Sequence, residues 1–114
     1  MKSRPVAVVE TTMFSSWADR YLTESERERL TFAVASDPKV GDVIPGLHGL
    51  RKLRWRRPGS GKRGGYRVIY FFLSDRAPIF LMAGYSKSAQ EDLSPDEKRK
   101  LSRMALDIKY SLSD

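Results

Sequence analysis

The chain has 114 residues, a net charge of +7 and no cysteine. That length points to one domain, taken as residues 1–114, with room for a single core, and the 40% hydrophobic and 11% aromatic content excludes a disordered chain. The absence of cysteine excludes disulfides and thiolate metal sites, and the apolar run at 6–9 is too short for a signal peptide or a membrane span, so a cytoplasmic protein is expected.

In chain order, "VAVVETT" at 6–12 is rich in β-branched residues and predicts a strand. Phe14, Trp17, Ala18, Tyr21 and Leu22 then recur on one helical face, with Thr12 as the expected N-cap. A second helix is expected at 24–36. Thr23 and Glu26 have capping-box spacing, and Leu30, Ala33 and Val34 form its apolar stripe. Asp37-Pro38 ends that helix, and the glycines and prolines that follow make 37–49 a loop. Residues 50–56 alternate: Arg51, Leu53 and Trp55 share one face, and Lys52, Arg54 and Arg56 share the other. After a glycine-rich loop, "YRVIYFFL" at 66–73 and "IFLMAGYS" at 79–86 read as strands buried on both faces, completing an antiparallel meander. Ser94, Pro95 and Glu97 start a last helix lined by Leu101, Met104, Ala105 and Ile108. The order β-α-α-β-β-β-α is that of an α+β domain with helices on a small, mostly antiparallel sheet.

The charge is concentrated in one stretch. Between Asp42 and Asp75 there is no acidic residue, yet Arg51, Lys52, Arg54, Arg56, Arg57, Lys62, Arg63 and Arg67 all fall there. Charge that serves only solubility is usually mixed in sign, whereas a field of one sign attracts RNA, DNA or an acidic protein. Lys52, Arg54 and Arg56 would project from one face about 7 Å apart, near the phosphate spacing of an extended nucleic-acid strand. Trp55, beside Leu53, is assigned to packing. Arg67 stands out because it interrupts a strand that otherwise buries both faces. Such an arginine needs a carboxylate partner, for which Glu91 and Asp92 are candidates, or a cleft. The alternative role for Glu91 and Asp92 is to complement the dipole of the last helix.

Other chemistries have little support. His48 is the only histidine, which argues against a Ser-His-Asp triad and a histidine metal site. "GSGKRGG" lacks P-loop spacing and does not lead into a helix. Clustered cations can still cleave RNA. They stabilise the charge that develops when a 2′-hydroxyl attacks its own phosphodiester, and a lysine crowded by other cations can exchange a proton.

"KLRWRRPGSGKRGGYRVIYF", followed by "YSKSAQEDLSPDEK", resembles the RelE/HigB group of type II toxin–antitoxin systems over about residues 44–106. The resemblance implies a ribosome-dependent endoribonuclease that cuts mRNA in the A site without metal or cofactor and is silenced by a cognate antitoxin protein. It also implies catalytic roles for four positions. Lys52 and Arg54 would contact phosphate and transfer protons, Arg67 would stabilise the transition state, and Lys87 would stand where some members use arginine. Arg51, Arg56, Arg57, Lys62 and Arg63 would then contact nucleic acid. The tyrosine that some members use near the last helix has no counterpart at Tyr110, Tyr66 or Tyr85 that can be placed. Two alternatives are a DNA gyrase poison of the same superfamily, which would lack the cationic set, and a non-catalytic nucleic-acid-binding module.

Overall fold

The computed structural model describes residues 6–56 and 65–112. Its elements are β1 (Val8–Glu10), α1 (Thr12–Tyr21), α2 (Glu24–Ser36), β2 (Asp42–Val43), β3 (Leu50–Trp55), β4 (Tyr66–Phe71), β5 (Ile79–Ser86) and α3 (Pro95–Leu112). They form the expected α+β arrangement with one additional short strand, β2. The sheet order is β1-β5-β4-β3-β2; β1 runs parallel to β5 and every other pairing is antiparallel.

Local chemistry sets the helix starts. The first helix is capped by Thr11, one residue before the expected Thr12. The Thr11 hydroxyl accepts from the Phe14 amide at 3.1 Å and also lies within donor reach of the Leu81 and Met82 carbonyls, at 3.0 and 2.9 Å. Thr12 has no such link to β5 to favour it as the cap. The Thr23–Glu26 capping box forms as expected, with reciprocal bonds of 3.0 and 2.8 Å. Ser94 and Glu97 make the same box at the start of α3, at 3.1 and 2.8 Å.

The segment 37–49 contains β2, which departs from the expected loop. Asp42 pairs with Lys52 and Val43 with Arg51. The buried Tyr70 holds the approach to this strand: its hydroxyl donates to the Pro38 carbonyl and accepts from the Gly41 amide, both at 2.8 Å. A Cβ at Gly41 would come 2.8 Å from the Tyr70 ring, so the backbone passes where only glycine fits.

Each sheet face has its own core. Phe14 and Ala18 of α1 and Leu30 and Val34 of α2 cover Val68, Tyr70 and Leu81. On the other face, Leu101 and Ala105 of α3 cover Leu50, Ile69, Phe71 and Met82. Between Ile69 and Tyr70 the pairing skips Met82, and this bulge turns both Met82 and Ala83 toward the α3 side.

Candidate nucleic-acid interface

Residues paired directly across an antiparallel sheet project from the same face. Arg54 of β3 lies opposite Arg67 of β4, which lies opposite Tyr85 of β5. The next row toward α3 is Lys52, Ile69 and Ala83. One face therefore changes character along its length, from an apolar half under α3 to a cationic half beyond it. Arg54 is exposed, while Arg67 and Lys52 are half-buried. Arg56 follows β3 and is exposed. Lys87 lies at the same end, because the β4–β5 ladder runs one residue further: the Lys87 amide donates to the Gly65 carbonyl at 3.5 Å.

The link from β5 to α3 crosses this region with two carboxylates. Asp92 Oδ1 is 3.4 Å from Lys52 Nζ, and Asp92 Oδ2 is 3.4 Å from Lys98 Nζ. The Leu93 amide donates to Asp92 Oδ1 at 2.7 Å. That backbone bond, helped by the charges of Lys52 and Lys98 and opposed by partial burial, holds the Asp92 carboxyl below the usual carboxylate range. Lys87 Nζ donates to the Glu91 carbonyl at 3.1 Å and lies 3.4 Å from Glu91 Oε1. Glu91 and Asp92 are each paired with lysine. Neither pairs with Arg67. Among the described residues no carboxylate forms an ion pair with Arg67 or Arg54.

Tyr85 is buried beside Arg67, and its hydroxyl has no hydrogen-bond partner among the described residues. Burial, reinforced by the charge of Asp92 and opposed by Arg67, pushes its pKa up. Sequence reasoning left Tyr85 unplaced, offered Asp92 to the site only as a partner for Arg67, and missed Lys98. The strand alternation that picked out Lys52 and Arg54 could have flagged Tyr85 once its register with Arg67 was known; no local signal marks Lys98.

Arg51 does not join this face. It projects with Leu53 and Trp55, and its Nη1 donates to the carbonyls of Gly41 at 2.7 Å and Lys39 at 3.4 Å, so it braces the turn before β2. Trp55 packs against the core under α1 and α2, as assigned. Arg57, Lys62 and Arg63 lie outside the described residues. Among the described residues there is no group of three or more histidine, cysteine, aspartate or glutamate side chains that could hold a metal ion, and no helix long and apolar enough to cross a membrane.

The family model for the RelE toxin of the RelE/RelB toxin–antitoxin system matches residues 8–113. The chain belongs to the RelE toxin family. Solved structures of similar fold include a mutant of the E. coli toxin RelE in the free state. It is 19% identical, with a TM-score of 0.58, and the match covers 85% of this chain and 97% of that one. The intact E. coli RelBE toxin–antitoxin complex matches at 17% identity and a TM-score of 0.51, over 71% of this chain and 95% of that one. The E. coli RelE mutant bound to an antitoxin RelB peptide matches at 15% identity and a TM-score of 0.52, over 81% and 98%. At these identities the structural likeness establishes the RelE fold. In this RelE-family member that fold sets Lys52, Arg54 and Arg67 on one face.

Proposed function

We propose that this chain is a ribosome-dependent endoribonuclease that cleaves mRNA in the A site and is held inactive by a cognate antitoxin. The observation that carries this reading is the Arg54–Arg67 row, two arginines opposed across adjacent strands with no ion-paired carboxylate among the described residues. A row of this kind is costly to the fold and suited to an external anion. The 2′-hydroxyl loses its proton and attacks the adjacent phosphorus, and the P–O5′ bond breaks. The products are a 2′,3′-cyclic phosphate and a 5′-hydroxyl that takes up a proton. Arg67 offers a planar fork to the phosphoryl oxygens as their charge grows. Lys52 and Arg54 hold the phosphate, Lys52 carries the proton transfers, and Lys87 faces the leaving oxygen. The chemistry needs no metal, because cationic side chains supply the charge stabilisation. The antitoxin would cover the same face with an acidic or amphipathic segment. A ribosomal substrate makes the cytoplasm the working compartment.

The test is a 5′-end map of mRNA incubated with purified protein, with and without programmed ribosomes. Cuts confined to the A-site codon, and only when ribosomes are present, are expected. No cuts in either tube would sink the proposal and direct attention to gyrase supercoiling.

A further inference from the structure

We propose that Asp92 is an intramolecular stand-in for a substrate phosphate, and that Lys98 of α3 is the second cation of the subsite it occupies. The inference rests on reading the basic face as a nucleic-acid floor. Lys52 and Lys98 come from β3 and α3, yet their ammonium groups meet on the two oxygens of one carboxylate, each at 3.4 Å. An anion with two oxygens between two ammonium groups is also the arrangement in which a phosphodiester presents its non-bridging oxygens. The carboxylate is positioned without the lysines. The Leu93 amide fixes Oδ1 at 2.7 Å, the Gln90 amide group donates to the Asp92 carbonyl at 2.8 Å, and the Leu93 side chain is buried under α3.

The lysine contacts, by contrast, are longer than the 2.7–2.9 Å or so of a tight charge-assisted bond. The Asp92 side chain is 49% exposed and those of Lys52 and Lys98 are 34% and 39% exposed, so a phosphate can reach the lysines and displace the carboxylate. Glu91 has no such arrangement. Its side chain is 94% exposed and, among the described residues, pairs with Lys87 from the same link.

The test compares wild type, Asp92→Asn, Glu91→Gln, Lys98→Ala and the Asp92→Asn/Lys98→Ala double variant. The probe is a fluorescent single-stranded 2′-O-methyl oligoribonucleotide, which cannot be cleaved, titrated at two salt concentrations. Asparagine keeps the side-chain oxygen that accepts from Leu93, so Asp92→Asn retains the local backbone, and thermal melts check each variant. Asp92→Asn is expected to bind about 3- to 10-fold tighter at low salt, with a salt slope steeper by roughly 0.7, the value for one more neutralised phosphate on a single strand. Lys98→Ala should remove that gain. Glu91→Gln, which deletes the same charge from the same link, should gain less than about twofold, as expected of a screened surface charge. Equal gains in Asp92→Asn and Glu91→Gln would reduce the effect to net charge and overturn the subsite. So would a gain that survives Lys98→Ala, or the absence of binding by both wild type and Asp92→Asn. The outcome is separable from the nuclease reading. Tighter Lys98-dependent binding with no cuts on ribosomes would refute only the nuclease, and cuts without that gain would refute only the subsite.

Discussion

Replacing Arg67 with methionine should move stability and activity in opposite directions. Arg67 is half-buried on β4, directly opposite Arg54 on β3, with no ion-paired carboxylate among the described residues. Directly opposed cross-strand pairs contribute on the order of 0.2–1 kcal/mol, with like charges destabilising. Arg67→Met keeps an unbranched stem, removes that repulsion and no longer holds a guanidinium beside the buried Tyr85. It should stabilise the fold by about 0.5–1 kcal/mol, which for a domain of this size raises the Tm by roughly 2–5 °C. Arg67→Lys keeps the charge and should leave the Tm within about a degree of wild type. For cleavage, deleting one preorganised donor aimed at developing charge typically costs about 10²- to 10³-fold. Lysine, a point charge without a fork, should lose most of this as well. The assays are calorimetric melts and single-turnover cleavage on programmed ribosomes, with ribosome binding measured by co-sedimentation and expected to stay within a few fold. A lower Tm for Arg67→Met would mean that Arg67 holds the fold together. Arg67→Lys cutting at the unmutated rate would remove Arg67 from the chemistry.

Three further predictions concern the scaffold. A Cβ at Gly84 would lie 2.4 Å from Trp17 Cε3, and the indole is hemmed in by Phe14 and Tyr66, at centroid distances of 5.8 and 5.1 Å. Gly84→Ala should therefore cost about 1–3 kcal/mol in urea denaturation through overpacking, and an unchanged midpoint would contradict the crowding. Tyr70→Phe strands the Pro38 carbonyl and the Gly41 amide, both 2.8 Å from the hydroxyl, and should cost about 1–3 kcal/mol. Hydrogen exchange should speed up at Gly41, and protection equal to wild type there would argue against the anchor. Glu10 accepts two bonds from Arg27, at 2.9 and 2.6 Å, and one from Ser15, at 2.7 Å. The Arg27 guanidinium, aided by Ser15 and opposed by burial, holds its carboxyl below the ordinary glutamate value. A depressed folded-state pKa stabilises the fold above the unfolded value, and the contribution fades as pH falls through the folded one. Glu10→Gln should thus be less stable by about 1–3 kcal/mol at neutral pH, with the gap closing as pH falls below about 4. The same gap at pH 7 and at pH 3 would contradict this.

Much of the fold is legible because its signals are local. The boxes at Thr23–Glu26 and Ser94–Glu97 need only a three-residue spacing, and the alternation in Leu50–Trp55 needs only a strand. Lys52 and Arg54 emerge on one face from that alternation, and Arg67 joins them because the hairpin register sets it opposite Arg54. What stays hidden depends on groups distant in sequence. Two adjacent threonines compete to cap α1, and the carbonyls of Leu81 and Met82, about seventy residues on, favour Thr11. Strand β2 is two residues long, inside a segment with glycines and prolines, and it is held by a tyrosine hydroxyl from β4. Asp92 looks locally like an acidic residue before a helix. Only the packing of α3 on the sheet shows that Lys52 and Lys98 flank it.

The pairing of the cations separates them by residue type. Around the link, the carboxylates of Glu91 and Asp92 go to the lysines, Lys87, Lys52 and Lys98. The arginines of the central row, Arg54 and Arg67, take neither. Lysine is a compact point charge that a single carboxylate satisfies loosely and exchangeably. The guanidinium is a rigid fork matched to two oxygens, and an internal carboxylate seated on it would be far harder to displace. A face meant to receive phosphate while staying folded in its absence can therefore neutralise its lysines internally and must leave its arginines open. Helix α3 stops short of covering them, and its Leu101 and Ala105 seal only the apolar half of the same strands. On the proposed reading, an outside anion would offset the Arg54–Arg67 opposition. Antitoxin and RNA would, on that reading, compete for the two arginines first, and the lysines would follow as their carboxylates are displaced.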